Sequence, residues 1–253
     1  MTEILRHPVT VFVLTLVILW FSVYVGSYLT AKVAPVTEEE RKDLDLIIGA
    51  SLTLLALIVG FSFAMAVSRY DERKLYEENE ANAIATEYSR MNLLPPADAA
   101  KGRQLLTEYL NQRVLFYTIS DPQQLDAVRT ETGKLGDQLL STVQGAAANQ
   151  PTVPVSLAVY GLDDVMNRAR STQAEFWNRI PDGAWLLMFG LSIICCALTG
   201  HGARRKGLLP FVVLPLLLAI AFFLIADIDT PRHGVIRVDP ENLIELAQTL
   251  QGR

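Results

Sequence analysis

Four long uncharged stretches constrain this chain more than any other feature of its sequence. They occupy residues 8–31, 46–68, 183–202 and 207–226. A helix rises about 1.5 Å per residue, so about 20 apolar residues cross a hydrocarbon core about 30 Å thick. Each stretch reaches that length, and 51% of the whole chain is hydrophobic. The sequence therefore predicts an all-α membrane protein with four transmembrane helices.

The first stretch is interpreted as a retained span and not as a cleaved signal peptide. Its apolar run is longer than the roughly 7–15 residues of a signal sequence, and residues 31–34, AKVA, lack the small-x-small pattern of a cleavage site. We therefore assign residues 1–68 to the first two spans and residues 183–228 to the last two.

Residues 69–182, between the second and third spans, are predicted to form a helical, water-soluble domain. Apolar residues recur there at helical spacing, and proline or asparagine clusters separate the segments. The second span is expected to continue into this domain as one helix that ends at Pro95-Pro96. Helices are expected to follow up to residue 119, from Asp121-Pro122 to a loop over 145–154, and from there to residue 180. The remaining residues, 229–253, are predicted to be a tail with a short amphipathic helix from about Pro240.

The distribution of basic residues predicts the orientation of the chain. Four spans place the insert and both termini on the same side of the membrane. Lysines and arginines near the span ends are in a narrow majority on that side, although Arg204, Arg205 and Lys206 lie on the other. The insert and both termini are therefore expected to be cytoplasmic.

Signatures of catalysis and of nucleic-acid binding are lacking in the sequence. The three histidines lie apart from acidic or cysteine clusters, and no glycine-rich phosphate loop precedes a helix. A net charge of −5 with scattered basic residues argues against binding to phosphate backbones. We predict no enzyme activity, cofactor, metal centre or nucleic-acid partner.

Two sets of acidic residues are candidate cation-binding sites. The run of Glu72, Glu77, Glu78 and Glu80 is interpreted as a solvated helix face, with a cation-binding ring in an oligomer as the alternative. Asp227 and Asp229 after the fourth stretch could also coordinate a cation. Two carboxylates fall short of the roughly six to eight oxygens that calcium takes.

Residues 60–70 read GFSFAMAVSRY. This segment resembles the pore-lining second helix of the bestrophin family of pentameric anion channels, which has a similar Gly-Phe, five residues, then Val, Ser or Thr, Arg and an aromatic residue. The chain is more closely similar to a bacterial family of bestrophin-like integral membrane proteins. The shared segments are SRYD at 68–71, EANAI at 80–84, and DTP and GVI at 229–231 and 234–236.

The resemblance implies a homo-oligomer, with a pentamer favoured, that lies in a bacterial inner membrane. It also implies that this oligomer conducts small anions such as chloride. Carried over by the shared segment, the hydrophobic neck of the bestrophins falls on Phe61, on Leu57 and on Thr53, where the family is apolar. Met65 continues the same row, and Arg69 falls at the cytoplasmic mouth of the pore. Rings of such apolar residues around an axis gate by dewetting.

Each of these assignments has an alternative. The row of Leu57, Phe61 and Met65 could pack against the other spans, and Arg69 could anchor the helix at the membrane interface. The small residues Ala56, Gly60 and Ala64 allow close helix approach without fixing a stoichiometry. The chain could then be a non-conducting scaffold or sensor that acts through its cytoplasmic helical domain.

Overall fold

The computed structural model describes residues 7–32, 38–202 and 209–252, and within these ranges the regular structure is helical, with no strand. A 3-10 turn over Met91–Leu93 and a π-helical turn over Leu209–Val213 accompany the α-helices. The α-helices in the described ranges are α1 (Pro8–Lys32), α2 (Glu38–Arg90), α3 (Pro96–Thr118), α4 (Pro122–Asn149), α5 (Val153–Trp177), α6 (Asp182–Gly202), α7 (Leu214–Asp229) and α8 (Glu241–Gln251).

Four helical stretches in the described part of the chain are long and apolar enough to cross a membrane. They are Pro8–Leu29, Glu40–Leu93, Val153–Gly202 and Phe211–Asp229. Each overlaps one of the stretches predicted from hydropathy. The prediction of an all-α membrane protein with four transmembrane helices is confirmed, and the segment between the second and third is helical as well.

The predicted helix ends differ from the observed ones in the insert. The loop expected over 145–154 is shorter, since α4 continues through Gly145 to Asn149. Three alanines follow that glycine, and alanine is the strongest helix former. The next helix, α5, ends at Trp177, earlier than the expected residue 180.

The chain divides into two compact units. One comprises Met1–Arg69 and Arg179–Ile236, and the other comprises Tyr70–Asn178 and Arg237–Arg253. Both units are assembled from segments that are distant in sequence.

In the first unit, α1 packs closely against α6 through two glycines. A Cβ atom on Gly26 would collide with the carbonyl oxygen of Ala197, and one on Gly200 would collide with the carbonyl oxygen of Val23. Small residues at such points let the backbones of membrane helices approach. The buried side chains of Leu19, Val23 and Cys196 fill the neighbouring contact.

Replacing Gly200 with leucine is expected to destabilise this contact. Overpacking of a close interface costs about 1–3 kcal/mol, which exceeds the gain in helix propensity on removal of a glycine. Thermal unfolding of the purified protein in detergent, followed by tryptophan fluorescence, measures the loss. Gly190→Leu is the control, because a Cβ atom there meets nothing within 4 Å. Equal midpoints for the two variants would contradict the close approach.

In the second unit, residues 70–90 of α2 share one hydrophobic core with α3, α4, α5 and α8. Ile84, Leu106, Leu139 and Leu162 are among its fully buried side chains. Rings of Phe116, Tyr117 and Phe176 lie edge to face, with centroids 5.1 to 5.5 Å apart. Such geometry adds to the stabilisation from buried area.

Candidate functional site

The predicted neck residues lie on an exposed side of α2. Leu57, Phe61 and Met65 are 53%, 65% and 41% exposed in the single chain. Thr53 is exposed too, and its hydroxyl donates a hydrogen bond of 2.9 Å to the carbonyl of Gly49, one turn earlier. Within one chain, this row is not covered by the other apolar helices.

A different stripe of α2 is buried. In the first unit it consists of Leu55, Ser62 and Ala66, which recur at helical spacing. Ala56 and Gly60 lie on a third side, where they line an apolar groove of about 570 Å³ between α2 and α7. A Cβ atom on Gly60 meets nothing within 4 Å, so this side of the helix is open.

Arg69 lies at the end of the apolar part of α2 and is half-buried. It follows Phe61 by eight residues, which corresponds to about 12 Å along the helix axis. Its assignment to a pore mouth stays a prediction.

Asp227 and Asp229 end α7 with both side chains buried. The two carboxylate oxygens of Asp227 accept hydrogen bonds from the amides of Val235 and Ile236, at 2.7 and 2.8 Å. Asp229 accepts one of 3.0 Å from the amide of Ile180. These carboxylates therefore tie the segment after α7, and the one before α6, to the end of α7.

The structure places no further metal-binding side chain beside Asp227 and Asp229 in the described residues. Within residues 7–32, 38–202 and 209–252, no group of three or more His, Cys, Asp or Glu side chains could hold a metal ion. Bound to backbone amides, the two carboxylates already have a structural role.

The interpretation of the acidic run as a solvated face is wrong for two of its members. Glu72 and Glu78 are exposed, but Glu77 and Glu80 are only 1% and 0% exposed. Both belong to the buried stripe of α2, which continues in the second unit through Arg73 and Ile84. Burial of a charged carboxylate requires compensating partners, and both residues have them.

Glu80 forms a buried ion pair with Arg113 of α3. Its Oε2 atom accepts hydrogen bonds of 3.2 Å from Arg113, 3.3 Å from the Tyr117 hydroxyl and 3.0 Å from the Thr172 hydroxyl. Burial opposes the charge on Arg113, but the adjacent Glu80 outweighs it and keeps the pKa of Arg113 above its usual value. Glu80 thus connects α2 to α3 and α5.

Glu77 holds the last helix. One carboxylate oxygen accepts a hydrogen bond of 2.9 Å from the amide of Leu243, and the other accepts one of 2.6 Å from the side chain of Asn242. Burial raises the pKa of Glu77, although these two hydrogen bonds oppose the shift. The carboxylate therefore caps the start of α8 in place of a residue of that helix.

Glu87, two turns after Glu80, is fully buried beside Gly161 of α5. Its nearest cation is Arg90, with 4.0 Å between the guanidinium nitrogen and the carboxylate oxygen. Among the described residues, neither carboxylate oxygen has a hydrogen-bond partner. Burial raises the pKa of Glu87 to about 8, and Arg90 offsets only part of that shift.

Residue type alone does not separate Glu77 and Glu80 from their exposed acidic neighbours. The partners of Glu80 are 33 to 92 residues away, and those of Glu77 are at least 165 residues away. The usable signal is position, since both acids fall in register with Ile84 and Met91, which are also buried.

The model of the Bestrophin-like domain matches residues 17–243. The chain belongs to the bestrophin-like family. No curated protein matches this bestrophin-like chain in sequence.

Solved structures of a bacterial bestrophin homologue from Klebsiella pneumoniae have the same fold. A leucine-to-threonine variant matches with a TM-score of 0.65 at 13% identity, covering 97% of this chain and 99% of its own. A tryptophan-to-alanine variant gives 0.65 at 14% identity, with coverages of 96% and 97%. A structure phased with zinc gives 0.58 at 14% identity, with coverages of 95% and 98%.

The bestrophin-like region includes every predicted site residue, from Thr53 to Asp229. The recognition of the family from the segment at 60–70 and its surroundings is confirmed. At 13% to 14% identity, the likeness to the solved structures concerns the fold.

Proposed function

We propose that this bestrophin-like protein forms an oligomeric, anion-selective channel in which α2 faces the central axis. The observation that carries the proposal is the exposure of α2. Only 11% of its most apolar window is buried, against 33% to 39% in the other three candidate spans. So much exposed apolar surface on α2 must be shielded from water. Neighbouring copies of the chain, together with lipid, provide that shielding.

The row of Thr53, Leu57, Phe61 and Met65 is the proposed pore-lining face. Repeated around an axis, its three large apolar members form stacked rings without hydrogen-bonding groups. Water and ions leave such a constriction readily, so the rings act as a hydrophobic neck that gates by dewetting.

The open side of α2 at Ala56 and Gly60 supports close assembly. Both residues border the apolar groove against α7, where a helix of a second copy or a lipid chain fits. We propose a pentamer, as the family resemblance implies, in a bacterial inner membrane with residues 69–182 and both termini cytoplasmic. Under this proposal, Arg69 places positive charge at the cytoplasmic mouth and favours anions.

Phe61→Ala is expected to increase the current through the reconstituted channel by on the order of tenfold. Removal of a Phe side chain from an apolar constriction lowers the barrier to hydration by about 1.5–3 kcal/mol, and about 1.4 kcal/mol corresponds to a factor of ten. Single-channel recording in planar bilayers under a KCl gradient measures both the current and the reversal potential.

Phe63→Ala is the matched control, since Phe63 is also exposed on α2 but lines the groove against α7. Its current should stay close to that of the unaltered protein. A reversal potential near the chloride equilibrium value supports anion selectivity. The absence of current from both the unaltered protein and Phe61→Ala would overturn the channel and favour a non-conducting scaffold or sensor.

A further inference from the structure

The helical bundle of the second unit contains a cavity of mixed polar and apolar lining, which opens to solvent at the exposed residues Asp137, Asp163 and Arg170. It has a volume of about 280 Å³ and lies among α3, α4 and α5. This is near the lower end of the roughly 300–1,000 Å³ typical of small-molecule sites. None of the predicted pore residues lines it, so a role for it goes beyond the proposed channel.

Glycine on α4 leaves the space open. Gly133 and Gly136 both line the cavity. A Cβ atom on Gly133 would meet nothing within 4 Å, whereas one on Gly136 would lie 3.2 Å from the sulfur of Met166. The second contact shows that Gly136 and Met166 face each other across α4 and α5.

The charges of the cavity are separated along its length. Since α4 and α5 are antiparallel neighbours joined by a short loop, the facing pair fixes their register. Arg129 lies seven residues before Gly136, and Arg170 lies four residues after Met166, so both guanidinium groups belong to one end. Asp137 and Asp163 belong to the other end. With about 1.5 Å per residue, the two pairs are separated by about 11 Å at the level of the backbone.

Arg129, Asp137 and Asp163 retain capacity to bind, and Arg170 donates one hydrogen bond of 3.3 Å to the side chain of Asn167. The Nε atom of Arg129 is buried and has no hydrogen-bond acceptor among the described residues. Its guanidinium lies 5.9 Å from the ring centre of Trp177, which positions it without neutralising it. Asp137 and Asp163 form no ion pair with a cation in the described ranges. The third arginine of the lining, Arg113, is already paired with Glu80.

We propose that this cavity binds a small zwitterion of amino-acid or dipeptide size. The carboxylate of the ligand lies at Arg129 and Arg170, and its ammonium group lies at Asp137 and Asp163. Guanidinium groups recognise carboxylates with paired hydrogen bonds, and a purely anionic ligand would be repelled at the acidic end. The amide side chains of Asn167, which lies between the ends, and of Gln173, which lies at the basic end, supply further hydrogen-bonding groups.

The test uses the purified full-length protein in detergent, with thermal unfolding and isothermal titration calorimetry as readouts. The probes are the proteinogenic L-amino acids and diglycine. Any probe that binds is compared with its deaminated acid and with its carboxamide. We expect at least one zwitterion to raise the unfolding midpoint and both analogues to bind at least tenfold more weakly.

Variants connect the binding to the cavity. Gly133→Leu is expected to fill the cavity and abolish binding, whereas Gly145→Leu on the same helix also meets open space but lies outside the lining. Arg129→Gln is expected to weaken binding at least tenfold. Equal binding of the deaminated acid, binding that survives in Gly133→Leu, or no binding by any probe would each overturn the proposal. Channel recordings play no part in this test, so it fails or succeeds independently of conduction.

Discussion

Replacing Arg113 with leucine is expected to lower the free energy of unfolding by about 3–5 kcal/mol, because the variant leaves Glu80 charged and buried without its cation. Glu80 is fully buried, and its remaining partners are the hydroxyl groups of Tyr117 and Thr172. Hydroxyl groups donate hydrogen bonds but carry no compensating charge. Denaturant unfolding of the detergent-solubilised protein, followed by circular dichroism, measures the loss.

Two further variants test whether the loss of stability comes from the broken ion pair or from the change in side-chain volume. Lys134→Ala removes an exposed pair with Glu131 and should change stability by less than about 1 kcal/mol. The double variant Glu80→Met with Arg113→Leu replaces both charges by apolar groups and should recover most of the loss. If the double variant is as unstable as Arg113→Leu alone, an uncompensated carboxylate is not the cause.

Stability of the second unit is expected to fall as the pH rises from about 4.5 to about 8, owing to Glu87. Its pKa is raised from an ordinary 4.5 to about 8 in the folded protein. The folded state therefore binds this proton more tightly than the unfolded state. The stabilising contribution is fully present below about pH 4.5 and is lost as the pH passes through 8. At about 1.4 kcal/mol per pKa unit, the shift from 4.5 to about 8 corresponds to a loss on the order of 5 kcal/mol, with the effect of Arg90 already included.

Glu87→Gln tests the assignment, since the amide imitates the protonated carboxyl group. The variant should be more stable than the unaltered protein at pH 9 and should show a flatter pH profile between pH 5 and 9. The charged residues that line the adjacent cleft are the same in this variant. They are Arg90 of the same helix and Asp164 and Arg168 of α5. Glu78→Gln, on the exposed side of α2, should retain the slope. An unchanged slope in Glu87→Gln would assign the pH dependence to another group.

The membrane spans could be predicted from the sequence because length and hydropathy are local properties. Proline marked the starts of α3 and α4 for the same reason, since it fits the first turn of a helix. The end of α4 was misplaced at Gly145, because a single glycine weakens a helix without ending it when alanines follow.

The buried acids show what local patterns leave out. A glutamate on an amphipathic helix is ordinarily exposed, and only distant partners make burial of Glu77 and Glu80 favourable. The apolar row from Leu57 to Met65 is the reverse case. Its helical spacing was evident, but its exposure in the single chain was not, because helical spacing alone does not show which side of a membrane helix packs against the other helices.

The bond between Glu77 and α8 also has a consequence for the order in which the protein is made. Asn242 and Leu243 follow Glu77 by 165 and 166 residues, so about two thirds of the length of the chain separates the carboxylate from its partners. During synthesis at roughly 5–20 residues per second, Glu77 emerges many seconds before α8 exists. The nascent bundle must tolerate an uncapped acid for that time, through hydration or protonation. Docking of α8 can take place only after the last span has been synthesised.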